Sequence, residues 1–368
     1  MSIEVDVTHR LGKFELEARF ASSGQLTALF GHSGSGKTSL VNLIAGLSRP
    51  DSGRIVANGR VLVDVEAGIF VPAHKRRIGY VFQDARLFPH MTVAQNLDYG
   101  RFFTPPSERY ADLDAVVALL GIRHLLERRP GRLSGGEIQR VAIGRALVAS
   151  PKLVLMDEPL ASLDEARKAE IMPYIERLRD EAGIPIVYVS HSVAEVARLA
   201  TDVVALVGGK VVANGPAVDV LPGLNLAGAA GPDEESALVE LEMAAPDDGY
   251  GLSLLRSGAG DEWRLPKVDA AAGTRLRVRI RARDVMLARE RPRDISALNV
   301  LAGRVVAVTP HDGAQALVRI GHGTDALVAR VTHRSVAQLG LEPGREVFAV
   351  VKAVTFDPAT TAAAPARR

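Results

Sequence analysis

One short segment fixes more of this chain than any other: Gly31-His32-Ser33-Gly34-Ser35-Gly36-Lys37-Thr38, which follows the spacing G-x-x-x-x-G-K-[ST]. It stands between an apolar run, QLTALF (25–30), and a stretch predicted to turn helical near Lys37. Glycines at 31, 34 and 36 let the backbone turn its N–H groups inward, around an anion that offers several acceptor oxygens. The N-terminus of the following helix adds partial positive charge. The segment therefore reads as a phosphate cradle, with Lys37 reaching the β- and γ-phosphates of a nucleotide and Thr38 a Mg²⁺ ion.

A cradle of this kind belongs at the end of a strand in a sheet covered by helices. Between residue 1 and about 215, apolar runs such as KLVLMD (152–157) and IPIVYVS (184–190) alternate with helical stretches, the pattern of a parallel sheet. A more helical insert runs from about Asp84 to Ser150, as in DLDAVVALLGIRHLLE (112–127). The strand LVLM (153–156) delivers Asp157 and Glu158 at its C-terminal end, where ligands gather in such sheets. Asp157 is predicted to hold Mg²⁺ through water and Glu158 to polarise the attacking water as general base.

With 368 residues the chain exceeds one ordinary core, so two or three domains are expected. Lys plus Arg number 45 against 43 Asp plus Glu, so no global field favours nucleic acid or a membrane surface. The absence of cysteine excludes disulfides and thiolate metal sites. MSIEVDVTHR alternates like a strand and lacks the apolar core of a signal peptide, and no apolar run reaches the ~18 residues needed to span a bilayer. Work at a membrane would need other chains to supply the crossing.

LSGGE (133–137) is the motif on which the chain resembles the ABC transporter ATPases. Ser134 and Glu137 also form a capping pair, so a helix is predicted to start at Ser134 with the N–H groups of Gly135 and Gly136 exposed as an anion site. The resemblance implies that Ser134, Gly135, Gly136 and Glu137 face the γ-phosphate held by a second copy, so that a complete site needs two chains. It further implies that Gln83 touches Mg²⁺ and the attacking water, that Asp164 in ASLD (161–164) meets the partner chain, and that His191 contacts the γ-phosphate. The family stacks an aromatic ring on adenine, for which Phe14 and His9 both remain open. A single cradle and a single LSGGE resemble the separate ATPase subunits of importers more than fused exporters. ARLFPHMTVAQNLDYG (85–100) resembles the groove that receives a helix of the membrane permease, with Phe88 and Met91 either docking residues or internal packing.

Beyond about Pro216 the texture changes. NLAGAAGPDEES (225–236) reads as a linker, and TRLRVRIRAR (274–283) as a strand with Arg275, Arg277, Arg279, Arg281 and Arg283 on one solvated or carboxylate-paired face. SALNVLAGRVVAV (296–308) and ARVTHRSVAQLGLEPGREVFAVVKAV (329–354) resemble the small β-domain of Mop/TOBE type in molybdate-importer ATPases, and RRIGYVFQDARLFPH (76–90) also looks most like that branch. The family usually has S-A-R-N where this chain has Ser296-Ala297-Leu298-Asn299. That leaves Ser296, Ala297, Asn299, Arg334, Ser335 and Lys352 as candidate oxyanion partners, converging through the turns before Ser296, Arg334 and Lys352.

The reading is an α/β P-loop ABC ATPase domain over 1–230 with a helical subdomain at about 84–150, a linker and β segment over 231–293, an all-β, OB-like Mop/TOBE domain over 294–357 and a tail from 358, read as disordered. Its expected function is ATP hydrolysis in a homodimer on the cytoplasmic face of the membrane, coupled to uptake of molybdate or tungstate through permease subunits fed by a periplasmic-type oxyanion-binding protein. ATP and Mg²⁺ are the expected cofactors, molybdate is a further ligand of the C-terminal domain, and no nucleic acid is expected. Importers of sulfate, iron or polyamine, a soluble non-transport ABC ATPase, and an oxyanion store or sensor remain alternatives.

Overall fold

A computed structural model describes residues 2–161, 163–221, 235–310, 313–323, 325–356 and 362–363. The predicted linker (apart from Glu235 and Ser236), most of the tail, Ser162 of ASLD, and His311 and Asp312 lie outside these. The chain forms two compact units: Met1–Ser192 with Leu199–Pro216, and Val193–Arg198 with Ala217–Arg368.

The first unit opens with β1 (Ile3–Leu11), β2 (Phe14–Ser22) and β3 (Leu26–Phe30), followed by α1 (Lys37–Ala45), β4 (Ser52–Ala57), β5 (Arg60–Asp64), β6 (Ile69–Phe70) and β7 (Ile78–Val81). The helical segment carries α2 (Val93–Phe102), α3 (Leu113–Leu119) and α4 (Gly135–Val148). Then come β8 (Leu153–Asp157), α5 (Glu165–Glu181), β9 (Ile186–Ser190), α6 (Val193–Leu199), β10 (Asp202–Val207) and β11 (Lys210–Pro216), of which α6 falls almost wholly in the second unit. Their eleven strands make one sheet, ordered β6-β5-β4-β1-β2-β11-β10-β3-β9-β8-β7.

Only part of that sheet is parallel, which corrects the expectation of a parallel sheet throughout. β10, β3, β9, β8 and β7 run parallel, whereas β1 pairs antiparallel with both β2 and β4, and β4 to β6 continue antiparallel. The connections explain the split. Gly12-Lys13 and Asn58-Gly59 are two-residue turns, too short for the crossover that parallel neighbours require. The fully buried β3, β8 and β9 sit in the parallel part, and their C-terminal ends define the site.

Nine residues are marginal for an isolated helix, so α1 is held by packing. Leu40, Val41, Leu43 and Ile44 are completely buried in the sheet core, at about 2 kcal/mol each. The far end of α1 is gripped by a residue that the sequence reading did not single out. Arg76, 2 % exposed, donates through Nη1 to the carbonyls of Leu43 (2.8 Å) and Ile44 (2.7 Å) and through Nε to Val71 (2.7 Å), with its guanidinium over the Phe70 ring. Burial, aided by Arg60, draws its pKa down to about 10, which still leaves it charged at neutral pH and opposite the negative end of the helix. Gly46 ends the helix at φ +78, and a Cβ there would overlap Arg76 Nε.

The second unit adds α7 (Ala217–Val220), β12 (Ser236–Ala245), β13 (Leu252–Ser257), β14 (Glu262–Pro266), β15 (Arg275–Arg281), β16 (Val285–Ala288), β17 (Asn299–Pro310), β18 (Gln315–His322), β19 (Asp325–Thr332), α8 (His333–Leu339), β20 (Glu346–Val351) and β21 (Ala362–Ala363). They form two five-stranded sheets, β14-β13-β12-β15-β21 and β16-β20-β17-β18-β19, around one core that includes Trp263, Leu276, Val305 and Ile320. The second sheet therefore begins with β16, ahead of Asp294. The arginine strand is shorter than expected: it ends at Arg281, and Arg283 lies in the following 3-10 turn. Nor is its arginine face simply solvated. Arg277 is buried against its cross-strand neighbour Glu240 (3.4 Å) and donates to the Ala197 carbonyl of α6.

Gly46→Ala is expected to cost about 2 kcal/mol, from a left-handed residue carrying a Cβ and displacement of Arg76. The midpoint of thermal unfolding should fall by roughly 5 °C. An unchanged midpoint would mean that the Arg76 grip contributes nothing.

Candidate active site

The loop before α1 folds as its glycines predict. Gly36 adopts φ +101, and a Cβ there would press on Leu16 and the Phe14 ring, so the last turn of the loop lies directly against β2. Lys37 is buried and donates to the carbonyls of Gly31 (2.7 Å) and His32 (2.8 Å). Burial draws its pKa below the ordinary lysine value, and Glu158 and Asp157 oppose that shift. Ser35 is buried in the same loop with a hydroxyl that has no hydrogen-bond partner among the described residues, as expected of a cradle shaped for added acceptors.

Asp157 ends β8 and is largely buried. Its Oδ1 accepts from Thr38 Oγ1 (3.3 Å) and its Oδ2 from Tyr80 Oη (3.3 Å). Burial raises its pKa above the usual carboxylate value, and the bonds from Tyr80 and Thr38 work against that rise. Glu158 follows at φ +45, an uncommon conformation for a residue with a side chain. Its N–H bonds the Val189 carbonyl of β9, and its Oε2 lies 3.4 Å from His191 Nδ1. The structure thus brings Lys37, Thr38, Asp157, Glu158 and His191 to the C-terminal ends of β3, β8 and β9. Gln83 is exposed two residues beyond β7.

Ser134 caps α4 as expected. Its Oγ accepts from Glu137 N (3.3 Å), while Glu137 accepts from Ser134 N (2.7 Å), the bond that chiefly holds the Glu137 carboxyl below its ordinary pKa. The glycines are less open than predicted: Gly135 is half-buried beside Leu163, and Gly136 is buried, near Ile171. Asp164 spends its carboxylate locally, capping α5 by accepting from Arg167 N (2.9 Å). Of the adenine candidates, Phe14 lies against the loop at Gly36, whereas His9 sits by Asp51 (3.5 Å).

Phe88 is half-buried, with its ring 4.4 Å from Tyr99 and its backbone clamped by the Asn96 amide. Phe102 (81 %) and Phe103 (67 %), at the end of α2, are far more exposed, and the sequence reading missed them. Tyr80 was missed as well. Only the register of β7 with β8, which sets Tyr80 beside Leu155, reveals its reach to Asp157.

The oxyanion candidates do not converge within one chain. Asn299 opens β17 beside Val351, so Ser296, Ala297, Asn299 and Lys352 gather at that end of the strand. Arg334 and Ser335 lie in the first turn of α8, past Thr332, whose partner Gln315 adjoins the Pro310 end of β17. Twelve residues of strand separate the two groups. Asn299 is also fully buried and committed: its Oδ1 accepts from Arg264 N (2.7 Å) and its Nδ2 donates to Arg264 O (3.0 Å). Ser335 bonds Thr332 through both N and Oγ. A concavity of about 340 Å³ borders Ala297 and Leu298, but it sets Asp261, Glu262 and Asp294 against Arg264 and Arg291, a poor balance for an anion.

A phosphate loop opening a helix, paired acids at the end of a parallel strand of the same sheet and a capped LSGGE helix define the ABC ATPases. Residues 20–161 match the ABC transporter family model and residues 295–355 the TOBE domain model. A solved ATP-binding cassette of an ABC transporter, 25 % identical, superposes with a TM-score of 0.50 over 59 % of this chain and 91 % of its own. The chain belongs to the family of the molybdenum import ATP-binding protein ModC. It is 62 % identical to the protein of that name from Mesorhizobium japonicum, over 99 % of this chain and 98 % of the relative, and 54 % identical to that from Rhizobium etli, over 97 % and 100 %.

Asn299→Ala removes both bonds to Arg264 and is expected to destabilise the second unit by about 2 kcal/mol. Calorimetric unfolding should move its transition downward; an unmoved transition would mean that the amide is free for a ligand.

Proposed function

We propose that this chain is the ATP-hydrolysing subunit of a molybdate importer, working as a pair of copies with a separate permease on the cytoplasmic face of the membrane. The observation that carries the proposal is the convergence of Lys37, Thr38, Asp157, Glu158 and His191 at one end of the parallel strands, in a chain so similar to proteins named for molybdenum import.

The chemistry follows from the geometry. Lys37 exchanges its bonds to Gly31 and His32 for phosphate oxygens, which restores to a buried ammonium the anionic partner it lacks. The oxygens of Thr38 and Asp157 suit a hard divalent ion that takes its remaining ligands from phosphates and water, with Gln83 as a further ligand. Such an ion supplies charge neutralisation of the phosphates when bound. Glu158 takes the proton of the attacking water, and His191, within reach of that carboxylate, orients it and meets the γ-phosphate. Phe14 is the adenine platform, given its place against the loop. Ser134 and its helix end complete the site of a second copy.

Among the described residues no helix is long and apolar enough to cross a membrane, so the translocation path is assigned to a permease. The exposed Phe102 and Phe103, edge-to-face at 5.2 Å, offer an apolar contact for it beside the Phe88 and Tyr99 pair. Ser296, Ala297 and Lys352 hold an oxyanion only if a second copy supplies the remaining donors.

Glu158→Gln should retain ATP and lose hydrolysis by at least about a hundredfold, the usual size of a general-base contribution. Parallel filter-binding and phosphate-release assays check this, and near-normal release would remove Glu158 from the role. Ser134→Arg and Lys37→Ala should each abolish turnover alone and recover part of it when mixed, since one mixed site keeps an intact loop and an intact LSGGE. A mixture that dimerises yet stays inactive would contradict a site shared between copies. Uptake of labelled molybdate by cells lacking the chain tests the cargo: uptake undiminished, with sulfate uptake lost, would reassign it.

A further inference from the structure

Tyr80 lies where three elements of the site meet. Its register partner on β8 is Leu155, two residues before Asp157 and on the same face of the sheet, the face covered by α1. Its hydroxyl is 3.3 Å from Asp157 Oδ2 and 3.4 Å from Asn42 Oδ1 on α1. A phenol has one proton to give, and the carboxylate is the stronger acceptor. Asp157 Oδ1 is already engaged by Thr38, so each carboxylate oxygen has its own donor. Two donors on two oxygens fix the plane of the carboxylate, which a single donor leaves free to rotate. The Tyr80 ring also stacks on Phe82 at 4.0 Å, and Phe82, whose ring has the Arg86 guanidinium 4.3 Å from its centroid, immediately precedes Gln83.

We infer that Tyr80 is a positioning residue for the metal site: its hydroxyl holds Asp157 in the orientation that a divalent ion bound with ATP requires. This rests on the nucleotide-site reading given above. Tyr80 acts through Asp157, while its ring stacks on Phe82 in the segment that leads from β7 to Gln83.

The test is Mn²⁺ binding by the full-length protein with a non-hydrolysable ATP analogue, followed by electron paramagnetic resonance, alongside calorimetry of the analogue in EDTA. Tyr80→Phe keeps the ring and its stack on Phe82 and should weaken Mn²⁺ binding about tenfold, the lower end of what loss of an outer-shell partner does. Metal-free analogue binding should be unchanged. Tyr80→Leu, which removes ring and hydroxyl together, should weaken Mn²⁺ binding to the same degree. Wild-type Mn²⁺ affinity in Tyr80→Phe would overturn the proposal, as would a loss confined to Tyr80→Leu, because the ring and not the hydroxyl would then be responsible. Failure of the unsubstituted protein to bind Mn²⁺ with the analogue would instead overturn the nucleotide-site reading itself.

Discussion

A lysine ammonium buried beneath a loop of glycines is the constraint around which the first unit is organised. Burial alone would drive Lys37 toward its neutral form, and the carbonyls of Gly31 and His32, with the nearby charges of Asp157 and Glu158, resist this. That arrangement needs the loop backbone in conformations that glycine tolerates, a helix starting at Lys37 itself, and two acids at the end of a parallel strand one place removed. The strand order supplies the last requirement, since β9 separates β3 from β8 and sets His191 between the loop and the acids. The result is a site in which loop carbonyls hold the buried ammonium until an incoming triphosphate replaces them.

The same logic recurs in the buried arginines, which reach helix ends as well as carboxylates. Arg76 holds the last carbonyls of α1, the helix that the phosphate loop opens, so both ends of that helix are fixed by cations: Lys37 at the start, Arg76 at the end. Arg179 of α5 is as deeply buried; it donates to the Leu199 carbonyl at the end of α6 and is paired with its neighbour Asp180. Helices of seven to nine residues have little stability of their own. Charge at their carboxyl ends, combined with apolar burial, replaces the stability that length would otherwise provide.

The geometry of the glycine loop, the two acids at the end of β8, the Ser134 cap and the place of His191 after β9 were legible in the sequence because they depend on residue type at fixed local spacing. Gly36 and Ser134 are read from the backbone conformations they permit or cap, and neither depends on distant partners. What stayed hidden depends on register between distant segments. Tyr80 meets Asp157 only because β7 lies parallel to β8 in one alignment, and Arg76 looks like any surface arginine until the turn before β7 folds it under α1. The antiparallel flank was misread because alternation in β1 and β2 does not reveal direction; the two-residue turns do. The spacing of the oxyanion candidates within one chain was hidden for a related reason. Residues close in a motif list proved to lie at the two ends of β17, and Asn299, polar and near a turn, serves as a buried clamp on β14.

The two compact units do not follow one another along the chain. α6 lies in the second although the residues on either side of it belong to the first, so the chain passes from one to the other at Ser192, at Arg198 and again at Pro216. The helix that leaves His191 thereby shares its carbonyls with Arg277 of β15, a residue some eighty positions further on. A domain added by simple fusion could be exchanged between relatives by cutting at one junction. Here the natural unit of exchange is larger, because a transplanted β-domain would have to bring its own version of α6, or an arginine that fits the resident one.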